Sequence, residues 1–217
     1  MQPTYLPWLG YFELIQRADA FVIYDHVQFE KSSWQQRNRI RAEKEILLTL
    51  PVLRTNGLNT RIKDIKIDQI RNPLAKHFKS IKQAYSKAIN YSTIINELET
   101  IYHNKYEFLI DLNLDLIKYG MKKLNIEKEL IFSSELNIEG QKVEALIDVC
   151  KKLKATHYYS PAGSKTYIDE NNLFQENGIE LSYQNYSHPV YKQINYPDFI
   201  SHLSFIDYLF NTDHITL

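Results

Sequence analysis

From residue 126 to the end, short apolar runs alternate with segments of helical periodicity, and this alternation constrains the fold more than any other feature. Ile126 to Phe132 reads as a strand, and residues 140–155 read as an amphipathic helix. THYYSP (156–161) is a strand entering the loop AGSK, 166–177 is a helix stopped by Gly178, and IELSYQNY (179–186) is the next strand. A helix over 198–210 closes the chain. Strands separated by helices pair in parallel, because a parallel connection needs a crossover. The expected fold is therefore α/β, a three-layer sandwich around a mostly parallel sheet.

The first part adds to this pattern. Residues 9–17 suit a short helix, and ADAFVIYD (18–25) is a buried strand ending in an acid. ILLTLPV (46–52) is a second strand, 57–60 is a turn, and RIKDIKID (61–68) alternates like an edge strand. Pro73 opens a helix, and apolar residues recur at helical spacing through 92–125. The expectation is one domain over 1–217 with a helical insertion at about 73–125.

Composition narrows the class. With 44% hydrophobic and 24% charged residues the chain is globular. No run approaches the ~18 apolar residues of a membrane span, and no leader sequence is evident. The single cysteine, Cys150, excludes an intrachain disulfide and a cysteine-based zinc site, which suits a cytoplasmic protein. Neither HExxH nor GxSxG occurs, and no metal or cofactor is expected. The net charge is zero, yet residues 31–90 carry 14 Lys and Arg against 4 Asp and Glu. Such a segment suits an anionic partner, whether a nucleotide sugar, a phosphorylated lipid or an RNA, and equally a pair of solvated helices.

The candidate site residues concentrate near the N-terminus. Gln2, Tyr5, Trp8 and Tyr11 join a polar tip to a flat apolar body, and Gln28, Lys31, Trp34, Arg37, Asn38 and Arg39 follow closely. Aromatic platforms beside a few polar groups suit a pocket for a polar small molecule. An aromatic core behind solvated cations is the competing reading of the same residues. In open α/β sheets ligands bind beyond the carboxyl ends of the strands, which here are Asp25-His26, Ser133-Ser134, Ser160-Pro161 and Tyr186-Ser187-His188. His188 and Asp25 are the candidate bases. Lys31, Arg37 and Arg39 could clamp a diphosphate, and Ser160 to Lys165 could seat an anion without forming a P-loop.

Several motifs together resemble the WbqC-like family: QPTYLPWLGYF (2–12), ADAFVIYDHVQFEK (18–31), Trp34 with RNRI (37–40), FSSEL (132–136), YYSPAGSKTYID (158–169), HPVY (188–191) with Gln193, and LSFIDYLFN (203–211). The resemblance spans nearly the whole chain. Gln36 departs from the family's usual asparagine or small residue, and the strand that usually precedes the QPTYLPW motif is expected to be short or missing here. The resemblance implies a role in bacterial surface polysaccharide (O-antigen) synthesis. Its implied reaction is amide formation between glycine, or a related acyl group, and the amine of a nucleotide-linked dideoxy amino sugar. The donor stays open between an aminoacyl-tRNA such as glycyl-tRNA, a carrier-bound acyl group (a thioester) and free glycine with ATP. It directs attention also to Ser133, Ser134, Ser160, Ser164, Tyr167, Tyr191 and Gln193 as substrate contacts. A non-catalytic module that binds a nucleotide sugar or nucleic acid stays open. So does a nucleotidylyltransferase-like enzyme, although Trp8-Leu9-Gly10-Tyr11 lacks the paired histidines that chemistry uses.

Overall fold

In a computed structural model, the chain is described over residues 1–168, 172–194 and 198–213. Helix α1 (Leu9–Arg17) leads to strand β1 (Phe21–Ile23). A hairpin follows, β2 (Arg37–Arg41) and β3 (Glu45–Thr49), and then the short strands β4 (Val52–Leu53) and β5 (Lys66–Ile67). Three helices come next, α2 (Pro73–Tyr85), α3 (Tyr91–His103) and α4 (Leu109–Lys123). The alternating part is β6 (Leu130–Phe132), α5 (Lys142–Lys152), β7 (His157–Ser160), α6 (Lys165–Ile168), α7 (Leu173–Glu176), β8 (Glu180–Tyr183) and α8 (Phe205–Asn211).

The α/β class holds, with the strands gathered in pairs. β1 runs parallel to β6 and β7 parallel to β8, while β2–β3 and β4–β5 are antiparallel. Met1 lies on the open side of β1. Its amine donates to Val22 O at 2.7 Å, and Tyr24 N donates to Met1 O at 2.7 Å, the bond pattern of a parallel strand reduced to one residue. Beyond it a groove of about 510 Å³, lined by β1, α5 and β7, separates the two parallel pairs.

Several elements differ from expectation, each for a local reason. The expected edge strand at 61–68 is a 3-10 turn (Ile62–Asp64) followed by β5. The helical run 92–125 divides into α3 and α4, with Leu109 N donating to Ile65 O where α4 begins. The closing helix starts only at Phe205, because His202 has φ +59° and Ser204 caps the first turn by accepting from Ile206 N. The basic residues 37–41, which could have formed a solvated helix, form the hairpin strand β2.

The main core joins α1, α2, α3, α4 and α8 around Tyr5, Phe12, Tyr85, Phe205 and Phe210. Tyr85 and Phe210 stack with centroids 4.3 Å apart. A second cluster, Val143, Ile147, Cys150, Ile168, Phe174 and Ile179, closes α5 and α7 over β7 and β8. Cys150 is a buried free thiol within it, pushed by burial up to about 11 and so kept protonated. Among the described residues, no helix is long and apolar enough to cross a membrane.

Candidate functional site

Two polar clusters lie past the carboxyl ends of the parallel strands. The first follows β1 and β6. The Asp25 carboxylate accepts three hydrogen bonds, from Ser133 Oγ (2.9 Å), Ser134 N (2.9 Å) and Ser134 Oγ (2.7 Å). Ser133 Oγ also lies 3.0 Å from Asp25 N and 2.7 Å from His26 Nδ1. Asp25 and Ser133 are buried, and His26 is half-buried with its ring edge-on to Tyr24.

The second cluster follows β8 and meets the start of α1. Tyr5-Leu6-Pro7 carries Trp8 to the N-terminus of α1 through a left-handed residue, Leu6 at φ +46°. That conformation is unfavourable for a side chain with a Cβ. Asn38, buried on β2, holds it by donating Nδ2 to the carbonyls of both Tyr5 and Leu6. Phe205 N donates to Pro7 O, and Ser204 bridges Trp8, so α8 clamps the turn from the other side. The Trp8 indole then meets Tyr186 edge-on at 5.4 Å and His202 at 5.1 Å. His188 stacks on His202 at 5.0 Å and lies about 6 Å from Tyr186, Tyr191 and Phe199.

Both ring nitrogens of His188 and the hydroxyl of Tyr186 are shielded from solvent and have no hydrogen-bond partner among the described residues. Buried polar atoms are nearly always paired, so such a group marks a place where a ligand or water completes the bonding. Burial, and then the neighbouring His202, push His188 down to about 4, so its ring is neutral at pH 7.

The hairpin extends this surface. Alternation along β2 turns Arg37 and Arg39 to one face and buries Asn38 and Ile40 on the other. Both guanidinium groups lie over the half-exposed Trp34 ring, at 5.7 and 5.6 Å. Arg39 is also committed elsewhere, pairing with Glu45 at 3.0 Å and donating to His202 O. That last bond ties the hairpin to the histidine pair.

Trp8 and His188 thus meet through His202, Trp34, Arg37 and Arg39 form a neighbouring group joined to it by the Arg39–His202 bond, and Asp25, Ser133 and Ser134 form a separate cluster. The fold places other candidates in structural positions. Tyr5 and Tyr11 are fully buried, with the Tyr5 hydroxyl bonded to Tyr102 (2.6 Å) and His77 (2.9 Å) and that of Tyr11 to Gln2 O. Gln2 accepts from Gln35. Gln28 and Lys31 are exposed on the loop before the hairpin. Ser160 and Ser164 bond each other at 2.5 Å inside their own turn. Tyr191 and Gln193 both donate to the buried Asp207. The Tyr167 side chain lies outside the described residues.

The clusters also contain His26 and Tyr186, which the sequence places at ligand-binding strand ends without a role of their own, and His202. His202 is brought in only by the fold. Among the described residues, no group of three or more His, Cys, Asp or Glu is arranged to hold a metal ion.

Comparison with known proteins agrees with the motifs. The uncharacterized protein Rv1507c of Mycobacterium tuberculosis is 32% identical over 214 residues, covering 97% of this chain and 91% of the relative. No solved structure matches. The model of the WbqC-like protein family matches residues 2–216, and the chain belongs to that family.

Proposed function

We propose that this protein forms an amide by transferring a glycyl or related acyl group to the amine of a nucleotide-linked dideoxy amino sugar, a cytoplasmic step in making bacterial O-antigen. The observation that carries this reading is the neutral imidazole of His188, without a hydrogen-bond partner among the described residues and set among Trp8, Tyr186 and His202. Aromatic faces bind a sugar or nucleobase by stacking, and the Arg37 guanidinium suits a diphosphate. An amine attacks an acyl carbon only through its free lone pair, so a base must take up a proton. The amine nitrogen bonds to the acyl carbon, the bond from that carbon to the donor oxygen or sulfur breaks, and the proton passes through His188 to the leaving group. Asp25 suits this role less, because three donors already occupy its carboxylate.

The test incubates the protein with a dTDP-linked amino sugar and either glycyl-tRNA or a glycyl thioester, and reads product mass. An acylated sugar nucleotide, lost in His188→Ala, supports the reading. Binding of the sugar nucleotide without turnover under any donor replaces it with a binding protein. Pyrophosphate release from a nucleoside triphosphate replaces it with a nucleotidylyltransferase-like enzyme.

A further inference from the structure

We propose that His26 Nε2 is a ligand-facing hydrogen-bond acceptor, held in that state by Asp25 acting through Ser133, in a site for an amine or alcohol that carries a phosphate. This goes beyond the reading above, because it uses none of the aromatic wall around His188.

The argument is proton accounting. Ser133 Oγ has one proton and three close neighbours: Asp25 Oδ1, Asp25 N and His26 Nδ1. The backbone N–H can only donate, and the Asp25 carboxylate accepts from both serine hydroxyls. The serine proton therefore goes to Asp25, and Ser133 Oγ accepts from Asp25 N. Its contact with His26 at 2.7 Å is then a hydrogen bond only if Nδ1 carries the ring proton. In a neutral imidazole this leaves Nε2 as a lone pair. Nε2 has no hydrogen-bond partner among the described residues, and burial, with Lys63 and Arg61, outweighs the opposing pull of the Asp25 charge and keeps the ring below its ordinary pKa of 6.5. Asp25 and Ser133 are positioning residues in this arrangement.

The surroundings define the ligand. The turn Ile62–Asp64 is tied across His26 by Lys63 N to Asp25 O (3.1 Å) and Ile62 N to Val27 O (2.9 Å). Lys63 and Arg61 both act on the His26 ring electrostatically. Arg61 is paired with Asp64 at 2.7 Å, while Lys63 has no ion-pair partner among the described residues. A ligand N–H or O–H fits Nε2, and a phosphate on the same molecule fits the Lys63 ammonium.

The test uses histidine ring 15N labelling of the full chain at neutral pH, with His26 assigned through His26→Asn. The expected spectrum shows His26 protonated at Nδ1, and Ser133→Ala loses that preference. O-phosphoethanolamine is then titrated, with ethanolamine and inorganic phosphate as separate probes. The expected result is a perturbation of Nε2 by O-phosphoethanolamine, weakened several-fold by Lys63→Ala and several-fold weaker with either fragment. A wild-type ring protonated at Nε2 overturns the proposal without reference to any activity, and so leaves the transferase reading intact. An equal response to inorganic phosphate overturns the amine or alcohol part.

Discussion

His188 and His202 stack with ring centroids 5.0 Å apart and planes 22° apart, although fourteen positions separate them in the chain. Stacked imidazoles in a partly buried site cannot both be charged cheaply, and this helps keep His188 neutral. Replacing His202 by a neutral aromatic removes the like-charge neighbour. In His202→Phe, the His188 titration is expected to move up from about 4 towards its ordinary value, as followed by NMR.

Gly10 lies under the Trp8 ring. A Cβ there would stand 2.1 Å from the nearest indole carbon, well inside contact distance. In an ordinary helix Gly→Ala would stabilise by about 1 kcal/mol. Here Gly10→Ala is expected to displace the indole from Tyr186 and His202. The predicted outcome is a changed Trp fluorescence with the fold retained by circular dichroism and, under the proposed function, a several-fold loss of sugar-nucleotide affinity measured by titration.

Gly120 marks the close approach of α4 to α1 and α8. A Cβ would lie 2.3 Å from the Phe12 ring and 3.1 Å from Phe205, both fully buried. Overpacking of a closed core costs about 1–3 kcal/mol. Gly120→Ala is expected to lose stability in that range by urea unfolding.

Asp207 is fully buried and accepts from Tyr85 Oη (2.8 Å), Tyr191 Oη (2.7 Å) and Gln193 Nε2 (2.8 Å). Asp207→Ala strands those donors away from water, at a cost of about 3–5 kcal/mol. Chemical denaturation is expected to show this loss. Tyr191→Phe, which leaves the other donors in place, is expected to cost about 1 kcal/mol.

His77 is buried, with Nδ1 at 2.9 Å from the Tyr5 hydroxyl, and burial pushes it down to about 4 from 6.5. A depressed histidine pKa means that the unfolded chain takes up a proton before the folded one. Its contribution is fully present above pH 6.5 and declines as the pH falls towards 4. The loss is up to about 3 kcal/mol for His77. Unfolding free energy is expected to drop across this window, and less steeply in His77→Gln provided that variant folds.

Short apolar runs and helical spacing revealed α1, β1, β6, α5, β7 and β8, because both patterns are written locally. In the hairpin, β3 was legible as ILLTLPV, and β2 was not. Arg37-Asn38-Arg39-Ile40-Arg41 buries an asparagine, whose value comes from two carbonyls more than thirty residues away. The tyrosines of the QPTYLPWLGYF segment read as a ligand platform, yet Tyr5 finds Tyr102 and His77 and becomes core. Residue type alone does not say whether a phenol faces a ligand or another phenol.

The sequence by itself determined the α/β class, the family and the strand ends at which polar residues gather, since all three rest on local pattern and motif. Only the tertiary structure decided which polar groups share a site. It joined His188 to His202 and Trp8, and Asp25 to Ser133 and His26. Hydrogen bonds and ring contacts act over a few ångströms in space, and distance along the chain carries no information about them.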